Sequence, residues 1–600
     1  MSSLLMMQFI ISINFIYMNV LYTDNKNQQI LIALLKAFGI KKVVASPGGT
    51  NPALLMSMQS DGFFEMYSCV DERSAAYMAC GLSVESNEPV VICCTGATAS
   101  RNYFSALTEA YYRKIPIVAI TCSRPNYVRG HLVPQVTYRD QYPADILVDG
   151  ENLQIIKKPD DRWDVEFKIN KALLALRRHG GGPVHFNVET YTQSCSTLAL
   201  PEVHVIHRIT QNDDFPNLPQ GKMAIFIGSH KDMSELLTAK IDLFCEEHNA
   251  VVLCDHTSGY YGKYSVPYSL IGTQHQHDFG IAHYDLIIHL GEISGDYLTQ
   301  EHISAEHVWR VNEDGEVRIR FQLLDNVFEM PEEVFFNYYV TGSGVKNLSS
   351  YEACNEAYDT LYNSISYLPL SLISIAWHLA PLMPKKSVIH FAIINALRAW
   401  NFFRIDPSIR TYCNVGGFGI DGCTSTLLGA SLVNKDRLYY LFTGDLAFFY
   451  DLNSLGNRHI GPNVRILLLN DGKGAEFTHF MWPKYQSDRD LFIAGGGHFA
   501  SQSRTLVKDF AENLGFEYFQ ATNEQEYKLL YDRFVNPASV GKPMLFEVIT
   551  STEGQSEAWR TLCNLASASP KEKINQVVHN YGQKLLDPIK KTILEKINKV

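Results

Sequence analysis

Leu438-Tyr439-Tyr440-Leu441-Phe442-Thr443-Gly444-Asp445-Leu446 is a short apolar run that passes through a glycine into an acid. An all-apolar run of this length reads as a strand buried on both faces, the mark of a parallel sheet covered by helices. Open sheets of that kind meet their ligands beyond the carboxyl ends of the strands, which is where this reading puts Asp445. The next apolar run, 464–470, leads into Asp471-Gly472-Lys473-Gly474. Two acids at successive strand ends can share a hard cation, as Mg²⁺ does when it joins one or two carboxylates to phosphate oxygens. Gly472 and Gly474 would let the backbone around Lys473 come close to such an ion and its phosphates. Either acid alone would read as a turn residue capping a helix.

The same alternation extends outward in both directions. Helical periodicity at 29–37, closed by Gly39, leads to a strand at 42–46 and a Pro-Gly-Gly turn. Then come a helix at 51–58, strand 65–70, helix 72–83, strand 89–94, helix 100–113, strand 115–122 and a late strand at 182–188. A second unit starts with strand 223–227, helix 233–248 and strands 250–254 and 284–290. Its first strand is followed by Gly228-Ser229-His230, not by a dinucleotide fingerprint. A third holds strand 388–391, a glycine-rich segment at 414–422 and the strands of the opening motif. The expected fold class is α/β, with three doubly wound, mostly parallel-sheet domains at 23–200, 215–330 and 376–565. A linker is expected at 331–375, with helical patterns following Ser350.

Six hundred residues, 46% hydrophobic and 19% charged, fit a folded multidomain chain and exclude a disordered, collagen-like or rod-like one. With 52 basic against 63 acidic residues the net charge is −11, so a small molecule or another protein is the expected partner and nucleic acid is not. The 12 cysteines form no CxxC pair, which points to a reducing, cytoplasmic setting. Residues 1–22 form an apolar extension with no preceding Lys or Arg, interrupted by Asn14 and Asn19, so neither a secretion signal nor stable membrane insertion is expected. Translation starting at Met18 is an alternative. The tail 571–600 reads as an amphipathic helix broken at Pro588, packing on protein.

Glu72 opens a helix in Asp71-Glu72-Arg73-Ser74, where an acid ordinarily complements the helix dipole. His275, His277 and His283 fall at spacings that do not share a helix face and read as structural, as do His131, His390 and His479.

Taken in order, Ser46-Pro47-Gly48, Asp71-Glu72-Arg73-Ser74, Ser123-Arg124-Pro125, Gly182-Pro183-Val184-His185, Gly419-Ile420-Asp421-Gly422, Gly444-Asp445-Leu446 and Tyr450-Asp451-Leu452-Asn453 resemble a thiamine diphosphate enzyme. They look most like the menaquinone-pathway synthase of succinyl-enolpyruvyl-hydroxycyclohexene-carboxylate, the SEPHCHC synthase. The resemblance implies pyrimidine-binding, central and diphosphate-binding domains, with thiamine diphosphate and Mg²⁺ as cofactors. It implies that Asp445, Asp471 and the Lys473 carbonyl hold the metal, that Ile420 bends the cofactor, and that Ser46, Gly48, Gly444, Leu446, Ala447, Gly472 and Gly474 line it. Glu72 would bond the aminopyrimidine and activate the cofactor. The implied reaction decarboxylates a 2-oxoacid and transfers the enamine remnant to an acceptor. Simple decarboxylation to an aldehyde and a non-catalytic binding protein are the alternatives. The resemblance also implies a homodimer or homotetramer in which Glu72 and Asp445 of one site come from different chains.

Carboxylate recognition favours arginine's planar fork, and four cationic positions of that synthase read as neutral or acidic here. They fall on Gly49-Thr50, on Asn414-Val415, on Ala392 and Ala396, and on Asp296-Tyr297. Arg124 and Gln135 remain as candidate catalytic residues for a 2-oxoacid carboxylate. Glu476, apolar in that synthase, is expected to donate a proton or bind a polar acceptor. Its other reading is a solvated acid at a helix end.

Overall fold

The computed structural model describes residues 20–138, 142–275, 277–342, 346–478, 490–538 and 541–566. The expected tail helix, His479 and most of the apolar extension lie outside these residues. The chain divides into two compact units, Met1–Ile209 with Val317–Val327, and Thr210–Glu316 with Phe328–Val600.

The first unit is built on a six-stranded sheet in the order Glu65–Ser68, Lys42–Ala45, Val90–Thr95, Ile117–Ser123, Val184–Glu189, Asp149–Leu153. Every neighbouring pair runs parallel. Period-two alternation sorts the side chains: Val43, Val118 and Ile120 join one buried cluster with Leu31, Leu34, Ile169 and Leu173, from the helices Lys26–Ala37 and Pro159–Ala175. Val44, Ile117 and Ala119 join a second cluster with Ala75, Ala79 and Leu107, from Glu72–Ser86 and Phe104–Arg113. Helices on both faces make the sheet doubly wound.

Three expectations change. Tyr22, read as part of the extension, already belongs to the fold: the strand Tyr22–Thr23 pairs antiparallel with Cys195–Thr197, and the Tyr22 hydroxyl donates to Asp61 Oδ2 at 2.8 Å. The helix expected over 100–113 is two, Thr98–Asn102 and Phe104–Arg113, and the residue before the first, Ala97, has φ +62°. The expected linker 331–375, helical in pattern only after Ser350, also holds the helix Glu332–Tyr339 ahead of Ser349–Ser364 and the start of Leu372–Leu379. Its aromatic side chains have somewhere to go: Phe335 and Phe336 are fully buried, and Phe336 packs on Phe244 with ring centroids 5.4 Å apart.

Two further sheets follow. One, seven-stranded, contains the parallel run Ser265–Pro267, Ala250–Cys254, Met223–Ile227, His283–Leu290, Ser304–Asn312. The other runs Arg410–Cys413, Val388–Phe391, Tyr439–Gly444, Val464–Asn470, Met544–Ile549, Glu517–Ala521. All its pairs are parallel. The α/β class and the mostly parallel sheets expected from sequence are therefore present. None of the 12 cysteines is in a disulfide. Among the described residues no helix is long and apolar enough to cross a membrane.

Candidate active site

Strand register brings the two acids together. Tyr439–Gly444 and Val464–Asn470 are adjacent, with Gly444 opposite Leu469, so Asp445 and Asp471 leave neighbouring strands at nearly the same level. Asp445 opens the helix Asp445–Tyr450 and is 5% exposed, and its Oδ1 accepts from the Leu446 amide at 2.7 Å. Burial, and then the charge of Asp471, hold its carboxyl above the usual range. Burial raises Asp471 as well, against a hydrogen bond it accepts from Gln555 Nε2 at 3.4 Å. Two buried like charges need a counter-charge before both can ionise. A set of carboxylate and carbonyl oxygens suits a hard divalent cation, so these residues fit a metal that carries phosphates.

The loop that follows the strand Val464–Asn470 is held from below. Asn470 accepts from the Gly472 amide through Oδ1 at 3.2 Å and donates through Nδ2 to Glu547 at 2.6 Å. Glu547, 1% exposed, also accepts from the Tyr518 hydroxyl at 2.6 Å and Gln520 Nε2 at 3.3 Å. Gly472 takes φ +80°, which favours glycine, and its carbonyl accepts from Ser501 Oγ at 3.0 Å. The Gly474 amide donates to the Ala494 carbonyl at 2.6 Å. Both glycine amides are thus engaged within the chain, and what the glycines leave is room around Lys473. A Cβ on Gly444 would meet nothing within 4 Å, Ala447 is buried and Leu446 half-buried. Ile420 is half-buried in the loop between Arg410–Cys413 and the helix Cys423–Ser431. Asp451 fastens that helix by accepting from the Ser425 amide at 2.6 Å and hydroxyl at 2.7 Å.

Glu476 does not face solvent as an isolated acid. Arg398 Nη1 donates to its Oε2 at 2.8 Å. The Arg398 side chain is 6% exposed, stacks over Trp559 at 5.4 Å, and has Nε 3.9 Å from Asp296 Oδ1. Asp296 is buried, which raises its carboxyl, and its Oδ2 accepts from Ser269 Oγ at 2.9 Å. Ala392 and Ala396 are neutral as read, and the helix Asn395–Asn401 carries one cation, Arg398, two residues beyond Ala396. Ala392 and Ala396 are buried packing residues. The signal was Arg398 itself, the single charged residue between 392 and 403.

In the first unit, Glu72 is the first residue of Glu72–Ser86 and half-buried; Asp71 caps that helix, its Oδ1 accepting from the Ser74 amide at 2.8 Å. Ser46 is fully buried and donates its hydroxyl to the Cys69 carbonyl at 2.8 Å. Gly48 has a packing reason of its own, since a Cβ there would lie 2.4 Å from Thr95 Cβ. Arg124 and Gln135 are exposed on the loop that leaves Ile117–Ser123, Gln135 with φ +62°. Gln555, Asn470, Glu547 and Arg398 were not anticipated as site residues.

Residues 25–144 match the family model for the N-terminal TPP-binding domain of thiamine pyrophosphate enzymes. The chain is 30% identical to the 2-succinyl-5-enolpyruvyl-6-hydroxy-3-cyclohexene-1-carboxylate synthase of Phocaeicola vulgatus, over 89% of this chain and 97% of the relative. The same-named proteins of Bacteroides thetaiotaomicron and Flavobacterium johnsoniae are 29% and 27% identical, over 88% and 87% of this chain and 97% and 96% of theirs. With the parallel sheets and the acid pair at their carboxyl ends, this shows that the chain belongs to the thiamine diphosphate enzymes, in the SEPHCHC synthase family.

Proposed function

We propose that this chain is a Mg²⁺-dependent carboligase of that family whose acceptor is neutral or carries a single carboxylate. As a family member it is a thiamine diphosphate-dependent transferase that couples decarboxylation of a 2-oxoacid to transfer onto an acceptor, and its cofactor works with a divalent metal ion. Thiamine diphosphate, when bound, supplies a nucleophilic carbon and an electron sink for the decarboxylation.

Asp445, Asp471 and the Lys473 carbonyl would hold the metal and so fix the diphosphate end, with Gln555 steadying Asp471 and the Glu547–Asn470 pair holding the loop. Ile420 would shape the cofactor from the third sheet. Glu72 would hold a proton on its carboxyl against the aminopyrimidine nitrogen. Arg124 and Gln135 would hold the carboxylate or carbonyl of the 2-oxoacid. Glu72 of one subunit would serve the Asp445 of another. An apolar face on the Glu72 helix, with Tyr77 46%, Met78 42% and Val84 51% exposed, supports self-association.

The observation that carries the choice of acceptor is the Asp296–Arg398–Glu476 cluster. Its single guanidinium stands between two acids, so its charge is spent inside the protein. With Gly49, Thr50 and Val415 neutral as well, little cationic surface is left for a polyanionic acceptor. Each charge-assisted hydrogen bond missing there removes about 1.5–3 kcal/mol of recognition.

CO₂ release should be measured from 2-oxoglutarate, pyruvate and phosphonopyruvate, each with and without neutral and carboxylated acceptors. Release that rises only with a neutral or singly charged acceptor is the expected result. Equal release without any acceptor would favour simple decarboxylation, and efficient use of a polycarboxylate would overturn the acceptor assignment. Mixing Glu72→Ala with Asp445→Ala chains should restore part of the activity; no recovery would contradict the shared site.

A further inference from the structure

Residues 277–282 and the segment 301–303 lead into two neighbouring parallel strands, with His283 opposite Ser304 in register. They therefore meet at the amino-terminal edge of the central sheet, the edge opposite the one from which Gly291, Ser294 and Asp296 emerge. At that edge His275 Nδ1 lies 3.2 Å from His302 Nε2, with the rings at 78°. One ligating oxygen of Glu301 completes a trio whose atoms all lie within 4.8 Å of one another. For Zn–N bonds of 2.0–2.1 Å, ligand atoms on a tetrahedron stand about 3.3 Å apart, so the imidazole pair already spans one edge of a zinc tetrahedron.

His302 takes φ +62°, a left-handed backbone in which histidine is enriched among side chains. The trio opens on a cavity of about 490 Å³ that His275, His277, His283 and His302 all line.

We propose that His275, Glu301 and His302 form a binding site for one zinc-class divalent ion, separate from the Asp445–Asp471 pair. Two imidazoles and a carboxylate make a borderline donor set that favours Zn²⁺ or Co²⁺ over Mg²⁺. Three protein ligands leave a fourth position facing the cavity for water or a small anion. The ion would tie together the two loops at this edge. Gln274, next to His275, bonds the Leu562 carbonyl at 2.7 Å and the Ala566 amide at 3.1 Å, so the same loop also anchors the end of the helix Thr552–Leu562.

The test uses the full chain, stripped with a chelator and reloaded with thiamine diphosphate and excess Mg²⁺, which occupies the acid pair. Zn²⁺ is then titrated in competition with a chromogenic chelator, and Co²⁺ in parallel by visible absorption. The expected result is one equivalent of Zn²⁺ per chain and the strong absorption bands of four-coordinate Co²⁺. Affinity should fall at least tenfold in His275→Ala, in Glu301→Gln and in His302→Asn, the last chosen because asparagine tolerates a left-handed backbone. No stoichiometric uptake, or uptake equal in wild type and the His275→Ala/His302→Asn double variant, would overturn the proposal and leave the two rings as partners in a hydrogen bond. Should the His302 variant fail to fold, the other two decide the matter.

Discussion

Arg398 and Glu476 are joined by a 2.8 Å ion pair in which the arginine is 6% and the glutamate 23% exposed. Removing Glu476 leaves a buried guanidinium that still faces Asp296 Oδ1 at 3.9 Å and Trp559. Glu476→Gln should therefore free Arg398 for a ligand carboxylate. The apparent affinity for a carboxylated acceptor or inhibitor is expected to rise about tenfold, the size of one recovered charge-assisted contact of roughly 1.5 kcal/mol. Unchanged inhibition constants would show that Arg398 is out of reach of ligands.

Arg398→Leu is the more damaging change. It removes the cation that faces Asp296, leaving that buried acid only neutral donors such as Ser269, and burial already raises its carboxyl. Loss of one partner of a buried pair costs about 3–5 kcal/mol, and thermal unfolding of the variant should show it. The double variant Arg398→Leu/Asp296→Asn should recover a large part of that loss. A double variant no more stable than the single one would mean that the two side chains are not energetically coupled.

Glu547 touches neither acid but holds Asn470, and through it Gly472. Glu547→Gln keeps the shape and replaces one oxygen acceptor with a donor that faces donors. The expected outcome is a several-fold rise in the Mg²⁺ concentration needed for half-maximal activity, with little change in kcat at saturating Mg²⁺. A loss of kcat with no change in the Mg²⁺ requirement would place Glu547 outside the support of the metal loop.

Acid stability should depend on His390. Burial lowers it to about 4, and its Nε2 has no hydrogen-bond partner among the described residues, whereas the unfolded chain takes up that proton near pH 6.5. A neutral buried histidine contributes its full stability above pH 6.5 and loses it as pH falls from 6.5 toward 4. The loss amounts to roughly 3 kcal/mol per chain at the acid end. Denaturant midpoints of the wild type should fall over that interval, and those of His390→Phe should fall less. Parallel pH profiles would remove His390 from the account.

How far the sequence could be read depended on how local the information was. The strands Met223–Ile227, Ala250–Cys254, Val388–Phe391 and Val464–Asn470 were legible to the residue, because a parallel strand buried on both faces is a bare apolar run. Asp149–Leu153 and Glu517–Ala521 were not, because each lies at a sheet edge and mixes polar with apolar residues. The acid pair was legible because each acid directly follows a readable strand. Arg398 was missed because its role depends on Glu476 and Asp296, 78 and 102 residues away in the sequence. Gly48 was read for the cofactor, yet its contact with Thr95 is sufficient reason for a glycine. Gly48→Ala with Thr95→Gly beside it, which removes the Cβ that Gly48 faces, separates these roles: recovered stability without recovered cofactor affinity would assign Gly48 to both.

The central claim is that Asp445 and Asp471 together hold the metal that moors thiamine diphosphate. Calorimetric titration of the cofactor into wild type, Asp445→Asn and Asp471→Asn, each with Mg²⁺ and with chelator, tests it directly. The expected result is stoichiometric binding by wild type that requires Mg²⁺ and weakens at least a hundredfold in either variant. Binding of equal strength in all three proteins, or binding indifferent to Mg²⁺, would contradict it.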